Sequence, residues 1–539
     1  MRKVELKIWK HIFCCLCLAT IMQSAPACLA GQYQRDTTTT SPVDFVTTYC
    51  NPLNVYIADP FVLTFGGKYY LYGTTNTRDL EVYESTDLVH WKLKGTCYSP
   101  GPKSWGKVDV WAPEVAQNGS KFYLYFSARQ RKEKQRNICV AVSDSPLGPF
   151  TDLKAPLFPD LSVIDGHVFH DPATGDRYIY AVDEHQSPSR ILAAKLKPDM
   201  VTLETTLTTV LKPSMPWEDY WNEAPFVIRH GSTYYMMYSG SAFWEPGYSI
   251  GYAEAPSPLG PFVKFKGNPI LKQTASVDGP GHNAVAMSPD GREMFIVYHT
   301  HEGHWTTDRV LAIDRVKFIK GRNGHEILTV PGGASSTDQP LPSGVPPRLR
   351  AQSDSFNSKS RFANWYIIQE EPRSWALTSG ALNISMANGD FWRSHSGGEN
   401  LFLQDVPNGD FAISTKATFA RPSEGAQASL IVWGDPDNFV MFGPGMVSGE
   451  KYVLSAEDQQ KNDTNLFPPG RNPSGKVRIE CHDQTLSFFT ENKHGKWSRL
   501  KKKVHIRFKP QYVGLGAWNT NHDDGTTASF DSFNVRPLP

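Results

Sequence analysis

The sequence predicts an all-β protein, a five-bladed β-propeller followed by a β-sandwich. Three observations predict it. One hairpin unit recurs five times between residues 59 and about 318. Short alternating stretches fill residues 350–539. The 42 Gly and 40 Pro break the chain into turns and leave few windows of helical periodicity.

The repeats carry the propeller. They read "DPFVLTFGGKYYLYGTT" from Asp59, "APEVAQNGSKFYLYFSA" from Ala112 and "DGHVFHDPATGDRYIYAVD" from Asp165. "EAPFVIRHGSTYYMMYSG" from Glu223 and "GHNAVAMSPDGREMFIVYHT" from Gly281 complete the set. Each is an apolar strand, a tight turn and an aromatic strand; in the fourth copy the turn is His230-Gly231-Ser232. A third strand follows each hairpin, and two of these contain the same "SPLGPF". A period of roughly fifty residues with four strands per unit is the pattern of propeller blades.

The flanking segments follow. Residues 1–30 run from a basic start through "HIFCCLCLATIM" to small residues, the order of a secretory signal peptide. The apolar run is short of the ~20 residues a span needs, so a secreted protein is expected. A lipoprotein through Cys28, or a periplasmic one, fits less well. Residues 31–48 form a Thr-rich segment expected to be disordered. The propeller is placed at 49–334 and a Pro/Ser-rich linker, "SSTDQPLPSGVPPR", at 335–349. Stretches such as "FAISTKATF" and "SLIVW" predict the sandwich at 350–539.

Composition removes several functions. With 55 Lys and Arg against 54 Asp and Glu, nothing points to nucleic acid or to a membrane as partner. Cys50, Cys97, Cys139 and Cys481 are too scattered for a disulfide framework or a zinc site, although one bridge among the first three is open. Asn118, Asn383 and Asn462 begin glycosylation sequons. The oligomeric state is not readable.

The first strand of a propeller blade lines the central channel, so five strand mouths converge on one pocket. They carry Asp59, Trp111-Ala112-Pro113-Glu114, Asp165, Glu223 and His282. Turn formation explains any one of these residues, but three carboxylates among aromatics at one mouth point to chemistry. Two carboxylates without a Cys/His nucleophile or a phosphate loop suit glycosidic bond cleavage, with one protonated and one ionised. The apolar residues after Glu223 favour its protonated form, making it the acid. Asp59, in "IADPF", is the natural base, and Asp165 orients the acid and tunes it.

Two motifs are set aside. "HTHEGHW" at 299–305 lacks the spacing of a zinc-protease helix, and Asp171-Pro172 lies at a hairpin turn. Trp105, Trp111, Trp221 and Trp244 are placed at or near the rim, where sugars stack on rings. Trp111 and Trp221 are the best-placed of these.

The order "ADP", "VWAPEV", "IDGHVF", "NEAPFV", "GPGHN" resembles glycoside hydrolase family 43, from about Cys50 to about Phe318. The resemblance implies an inverting enzyme acting on plant polysaccharides containing arabinose or xylose, an α-L-arabinofuranosidase or β-xylosidase. It assigns Asp59 as general base, Glu223 as general acid and Asp165 as pKa modulator. It also makes Arg309 a holder of sugar hydroxyls, beside the substrate-binding candidates Trp111, Trp221 and Glu114. His282 resembles an axial histidine able to support a water or a metal ion. No cofactor is required for the chemistry, though calcium or another ion could sit in the channel. "YVGLGAWNTNHDDGTTASFDSFNV" resembles the concanavalin-like C-terminal sandwich of such enzymes. An inverting pair stands roughly 6.5–9.5 Å apart. The alternatives are a carbohydrate-binding propeller without turnover and a retaining fructan hydrolase, whose "NDPNG" and "RDP" motifs are missing.

Overall fold

The structure, a computed structural model, describes residues 45–538 except 54, 302–307, 322–323, 358–363, 369, 387–399, 422, 436–437, 448–449, 459–460, 468–474, 493 and 521–524. The expected signal peptide, Cys14, Cys15, Cys17, Cys28 and the Thr-rich run up to residue 44 lie outside the described residues. The fold is all-β; the only helical element among the described residues is the 3₁₀ turn Pro216–Glu218.

Five four-stranded antiparallel meanders follow one another between residues 58 and 329. Their first strands are Ala58–Phe65, Val108–Asn118, Val163–His170, Asn222–His230 and Gly281–Met287. Aromatic second strands pair with them, Lys68–Thr74 in the first sheet and Thr233–Gly240 in the fourth. These second strands are buried: Tyr72, Tyr125, Tyr180, Tyr235, Tyr238 and Tyr298 are among the largest fully buried side chains. The first strand of sheet one packs beside those of sheets two and five. Leu53, Val55 and Ile57 clasp the third strand of sheet five, Arg309–Lys320, where Leu53 N–H donates to Leu311 O (2.7 Å) and Ile57 N–H to Arg309 O (3.0 Å).

Each first strand is broken at the same place. The register slips between Ala58 and Phe61, Trp111 and Glu114, Ile164 and His167, Glu223 and Phe226, and Gly281 and Ala284. Inside each slip one residue has positive φ: Asp59 (51°), Ala112 (45°), Asp165 (55°), Ala224 (51°) and His282 (50°). Asp and His tolerate this left-handed region better than most side chains, and Ala adds little bulk. Pro60, Pro113 and Pro225 follow three of the bulges, where the interrupted ladder has no use for their missing N–H.

The C-terminal half contains two seven-stranded antiparallel sheets that share one apolar core, with Ile384, Ile413 and Phe488 from one and Phe402, Leu430 and Leu515 from the other. The segment 335–349 is not a loose linker. Gln339–Pro340 pairs with Thr48–Tyr49, and Arg348–Leu349 with Phe45–Val46. Residues 45–48, placed by the sequence in a disordered segment, are therefore strand-paired. Strands of two residues leave no periodic signal to find. The C-terminal half meets sheet one through Tyr366, which donates to Trp91 O, and through the ion pair of Lys92 with Glu370. Cys50, Cys97, Cys139 and Cys481 are all free thiols, so the possible bridge is not formed.

Candidate active site

The bulges converge on a cavity of about 960 Å³ whose wall includes Asp59, Asp165, Glu223, His282, Arg309, Trp111 and Trp221. Trp244, Phe243 and Tyr220 add exposed rings to it. Two residues expected at the pocket are not part of its wall. Trp105 packs against the core between sheets one and two. Glu114 lies beyond the bulge of its strand, where its carboxylate binds His167 Nδ1 (2.7 Å). His167 Nε2 in turn accepts from Val227 N–H (3.0 Å), so Glu114 braces two neighbouring strands.

Breaking the ladder leaves each bulge N–H in need of an acceptor. Ala112 N–H donates to Thr74 Oγ1 (2.9 Å), Asp165 N–H to Ser127 Oγ (3.0 Å) and His282 N–H to Ser239 Oγ (2.8 Å). Asp59 N–H donates to His299 Nδ1 (3.0 Å). All four acceptors occupy one position, the residue paired just before the slip, on the second strand of the preceding sheet. In the third sheet that position is Val182, which cannot accept. Its place is taken by the Asp165 carboxylate, whose Oδ2 accepts from Ala224 N–H (3.1 Å). Asp165 is thus fixed one residue from Glu223 by a deficiency in its own sheet.

The bulges also correct the sequence alignment. Glu223 is not the counterpart of Asp59 and Asp165: it precedes the bulge residue Ala224, so its counterparts are Ala58, Trp111 and Ile164. The site is therefore not a symmetric ring of carboxylates.

Asp59 sits among cations. Arg309 Nη1 donates to its Oδ1 (3.2 Å), His282 Nδ1 lies 3.2 Å from the same oxygen, and Thr74 Oγ1 donates to Oδ2 (2.7 Å). Burial alone would raise its pKa, but Arg309 and His282 outweigh burial and hold the carboxyl well below the usual range. His282 shows the reciprocal effect: burial opposes its charge, yet Asp59, with Asp165 and Glu223 beyond, pushes it up to about 9. His299 is kept neutral by burial, with Arg309 adding to the effect. It follows that the Nδ1 facing Asp59 N–H is the bare nitrogen.

Glu223 has the opposite setting. Tyr248 O–H donates to its Oε1 (2.5 Å) and Trp221 Nε1–H to its Oε2 (2.5 Å). Burial raises its pKa against these two donors, and the net shift is upward. Asp165 is pushed up by burial and by its neighbours Glu223 and Asp59, although His282 opposes this. Burial thus favours the protonated form of both Asp165 and Glu223. Asp59 remains ionised.

His282 turns Nδ1 to Asp59, and among the described residues no group of three His, Cys, Asp or Glu is arranged to hold a metal. Of "HTHEGHW", His301 Nε2 lies 2.7 Å from Phe243 O, and residues 302–305 are outside the described residues. Asp171 is the turn residue expected, accepting from Ala173 N–H (2.9 Å) and Tyr234 O–H (2.8 Å).

The loop bearing Tyr220 and Trp221 is anchored from behind. Glu218, fully buried, accepts from Tyr238 O–H (2.6 Å), Ser214 N–H (2.6 Å) and Met215 N–H (2.8 Å), and pairs with Lys264 Nζ (2.6 Å). Lys264→Met leaves this carboxylate without its cation, at a cost of about 3–5 kcal/mol. A clear fall in thermal midpoint is the expected result, and an unchanged midpoint would count against the pair as an anchor.

A β-rich chain whose cavity sets a carboxylate held among cations against two buried carboxyls has the equipment to hydrolyse glycosidic bonds. The profile "Glycosyl hydrolases family 43" matches residues 49–322, and "Beta xylosidase C-terminal Concanavalin A-like domain" matches residues 353–536. The chain belongs to glycosyl hydrolase family 43 and is a glycoside hydrolase. It is 27% identical over 297 residues to a β-D-galactofuranosidase of Aspergillus niger, covering 51% of this chain and 82% of that protein. An extracellular exo-α-(1→5)-L-arabinofuranosidase of Streptomyces avermitilis is 25% identical over 323 residues, covering 56% of this chain and 63% of the relative. The crystal structure of a thermostable family-43 glycoside hydrolase is 42% identical, with a TM-score of 0.51, covering 55% of this chain and all of the other.

Sequence reasoning missed the bulge acceptors Thr74, Ser127, Ser239 and His299, and also Tyr248. The acceptors had a signal: each stands at the same place near the end of its quoted repeat. Tyr248 had none, because it follows a loop of irregular length.

Proposed function

We propose that this protein is a secreted, inverting glycoside hydrolase of arabinose- or xylose-containing glycans. Asp59 is its general base, Glu223 its general acid and Asp165 the residue that orients and tunes the acid. The observation that carries this reading is the opposed setting of two carboxylates in one cavity, Asp59 held by Arg309 and His282 and Glu223 buried with only Tyr248 and Trp221 as donors. A carboxylate offers about four lone-pair sites. Arg309, His282 and Thr74 fill three on Asp59 and leave one, on Oδ2, for a water. Arg309 and His282 thus hold the base itself, and Trp111 and Trp221 offer rings to the sugar. Trp111 is stiffened by Arg136, whose guanidinium lies 4.5 Å from the ring centroid.

In this reading the five meanders close as a five-bladed propeller (49–334) around the cavity, and the two C-terminal sheets form a β-sandwich (350–539). The substrate class rests on the arabinofuranosidase relative and the xylosidase profile. Export rests on the N-terminal pattern together with the extracellular description of that relative.

A panel of aryl α-L-arabinofuranoside, β-D-xyloside, β-D-galactofuranoside and β-D-galactopyranoside tests the substrate. Turnover of either of the first two supports the proposal. Turnover confined to the galactofuranoside moves the substrate class to that of the Aspergillus relative. Sugar binding without hydrolysis of any member overturns it in favour of a binding module.

A further inference from the structure

The hydroxyl of Tyr248 donates to Glu223 Oε1 (2.5 Å). Ser239, paired with Glu223 across the first two strands of sheet four, accepts from His282 N–H through its Oγ (2.8 Å).

Tyr248 is also held rigidly. It is completely buried and stacks on His299, with centroids 5.8 Å apart and planes at 11°. A Cβ placed on Gly281 would lie 1.8 Å from its ring, so the absence of a side chain there is what admits the ring. His299 is the residue that accepts from Asp59 N–H. One wall of ring, imidazole and glycine therefore registers the acid against the base.

We propose that Tyr248 is a positioning residue whose hydroxyl, donating to Glu223 Oε1, stabilises the negative charge that develops on Glu223 as its proton passes to the leaving oxygen. This rests on the reading of Glu223 as the general acid. The bond is present before the reaction and strengthens as the carboxyl becomes carboxylate, which is the differential interaction that lowers a barrier. Trp221 Nε1–H serves Oε2 in the same way (2.5 Å). The charged groups influencing Glu223 are Asp59, Asp165 and His282, with Arg309 behind Asp59; none donates to Oε1 in place of Tyr248.

The test is Tyr248→Phe, which keeps the ring, its stack on His299 and its fit against Gly281. A donor to the carboxylate favours ionisation, so its loss moves the alkaline limb of the pH–rate profile upward, by about one unit or more. The kcat on a glycoside with a poor leaving group is expected to fall about tenfold to a hundredfold, and that on an activated aryl glycoside much less. A purely structural tyrosine would lower both rates alike and leave the limb in place, which overturns the proposal. If Tyr248→Phe does not fold, 3-fluorotyrosine at position 248 keeps the ring and makes its hydroxyl a stronger donor to Glu223 Oε1. The same limb is then expected to fall, and an unmoved limb overturns the proposal equally. Glu223→Gln separates the two readings. Equal losses on both substrates mean that Glu223 is not the acid. A leaving-group-dependent loss, with the Tyr248→Phe limb unmoved, rejects Tyr248 alone.

Discussion

Glu223→Gln is expected to lose about 10²- to 10⁴-fold in kcat on a glycoside with a poor leaving group, and far less on an activated one. The amide has no proton to transfer, so the loss should scale with the basicity of the departing oxygen. The pH profile supplies a second readout. With the proposed roles, activity requires Asp59 ionised and Glu223 protonated. Arg309 and His282 keep Asp59 ionised well below the ordinary carboxyl range, so the acid limb does not mark its titration. As pH rises the coupled Asp165 and Glu223 lose the transferable proton, and the rate falls. On an activated substrate the Gln variant should lose that alkaline fall. The substitution also has a structural cost, because Tyr248 and Trp221 donate to different oxygens and the amide has only one. A melting curve of the variant separates this cost from the chemistry. An unchanged rate on the natural glycan would remove Glu223 as acid.

How much of this was legible in the sequence depended on periodicity. Five hairpins sharing a period predicted five meanders, because each buries the same aromatic second strand: Tyr72, Tyr125, Tyr180, Tyr238 and Tyr298 recur at related places. The three carboxylates were legible for the same reason. Their register was not. A bulge adds one residue to one strand without altering the spacing of its motifs, so Glu223 read as the counterpart of Asp59 although it stands one place earlier. Glu114 was misread through its nearness to Trp111, whereas the slip between those two residues carries it to His167. The pairing of residues 45–49 with 339–349 was hidden by its shortness. Tyr248 was hidden by its dependence on Gly281 and His299, contacts that only the fold creates.

Asp59→Asn is the second substitution of large effect, with an expected loss of about 10²- to 10⁴-fold that does not depend on the leaving group. Water must be deprotonated whichever alcohol departs, so plotting the loss against leaving-group basicity gives a flat line where Glu223→Gln gives a slope. The variant also removes the anion between Arg309 and His282. Asp59 is the main influence raising His282, so without it burial prevails and the imidazole becomes neutral near neutral pH, a change that histidine NMR detects. Arg309 loses the carboxylate it pairs with, although the amide oxygen of Asn still accepts its hydrogen bond. The assignment of Asp59 further requires that the first-formed product of the unaltered enzyme have the inverted anomeric configuration, since a base that activates water delivers it to the face opposite the leaving group. Proton NMR of the nascent sugar decides this. A retained anomer would make the ionised carboxylate a nucleophile, and the single lone pair left on Oδ2 would then belong to the sugar rather than to water.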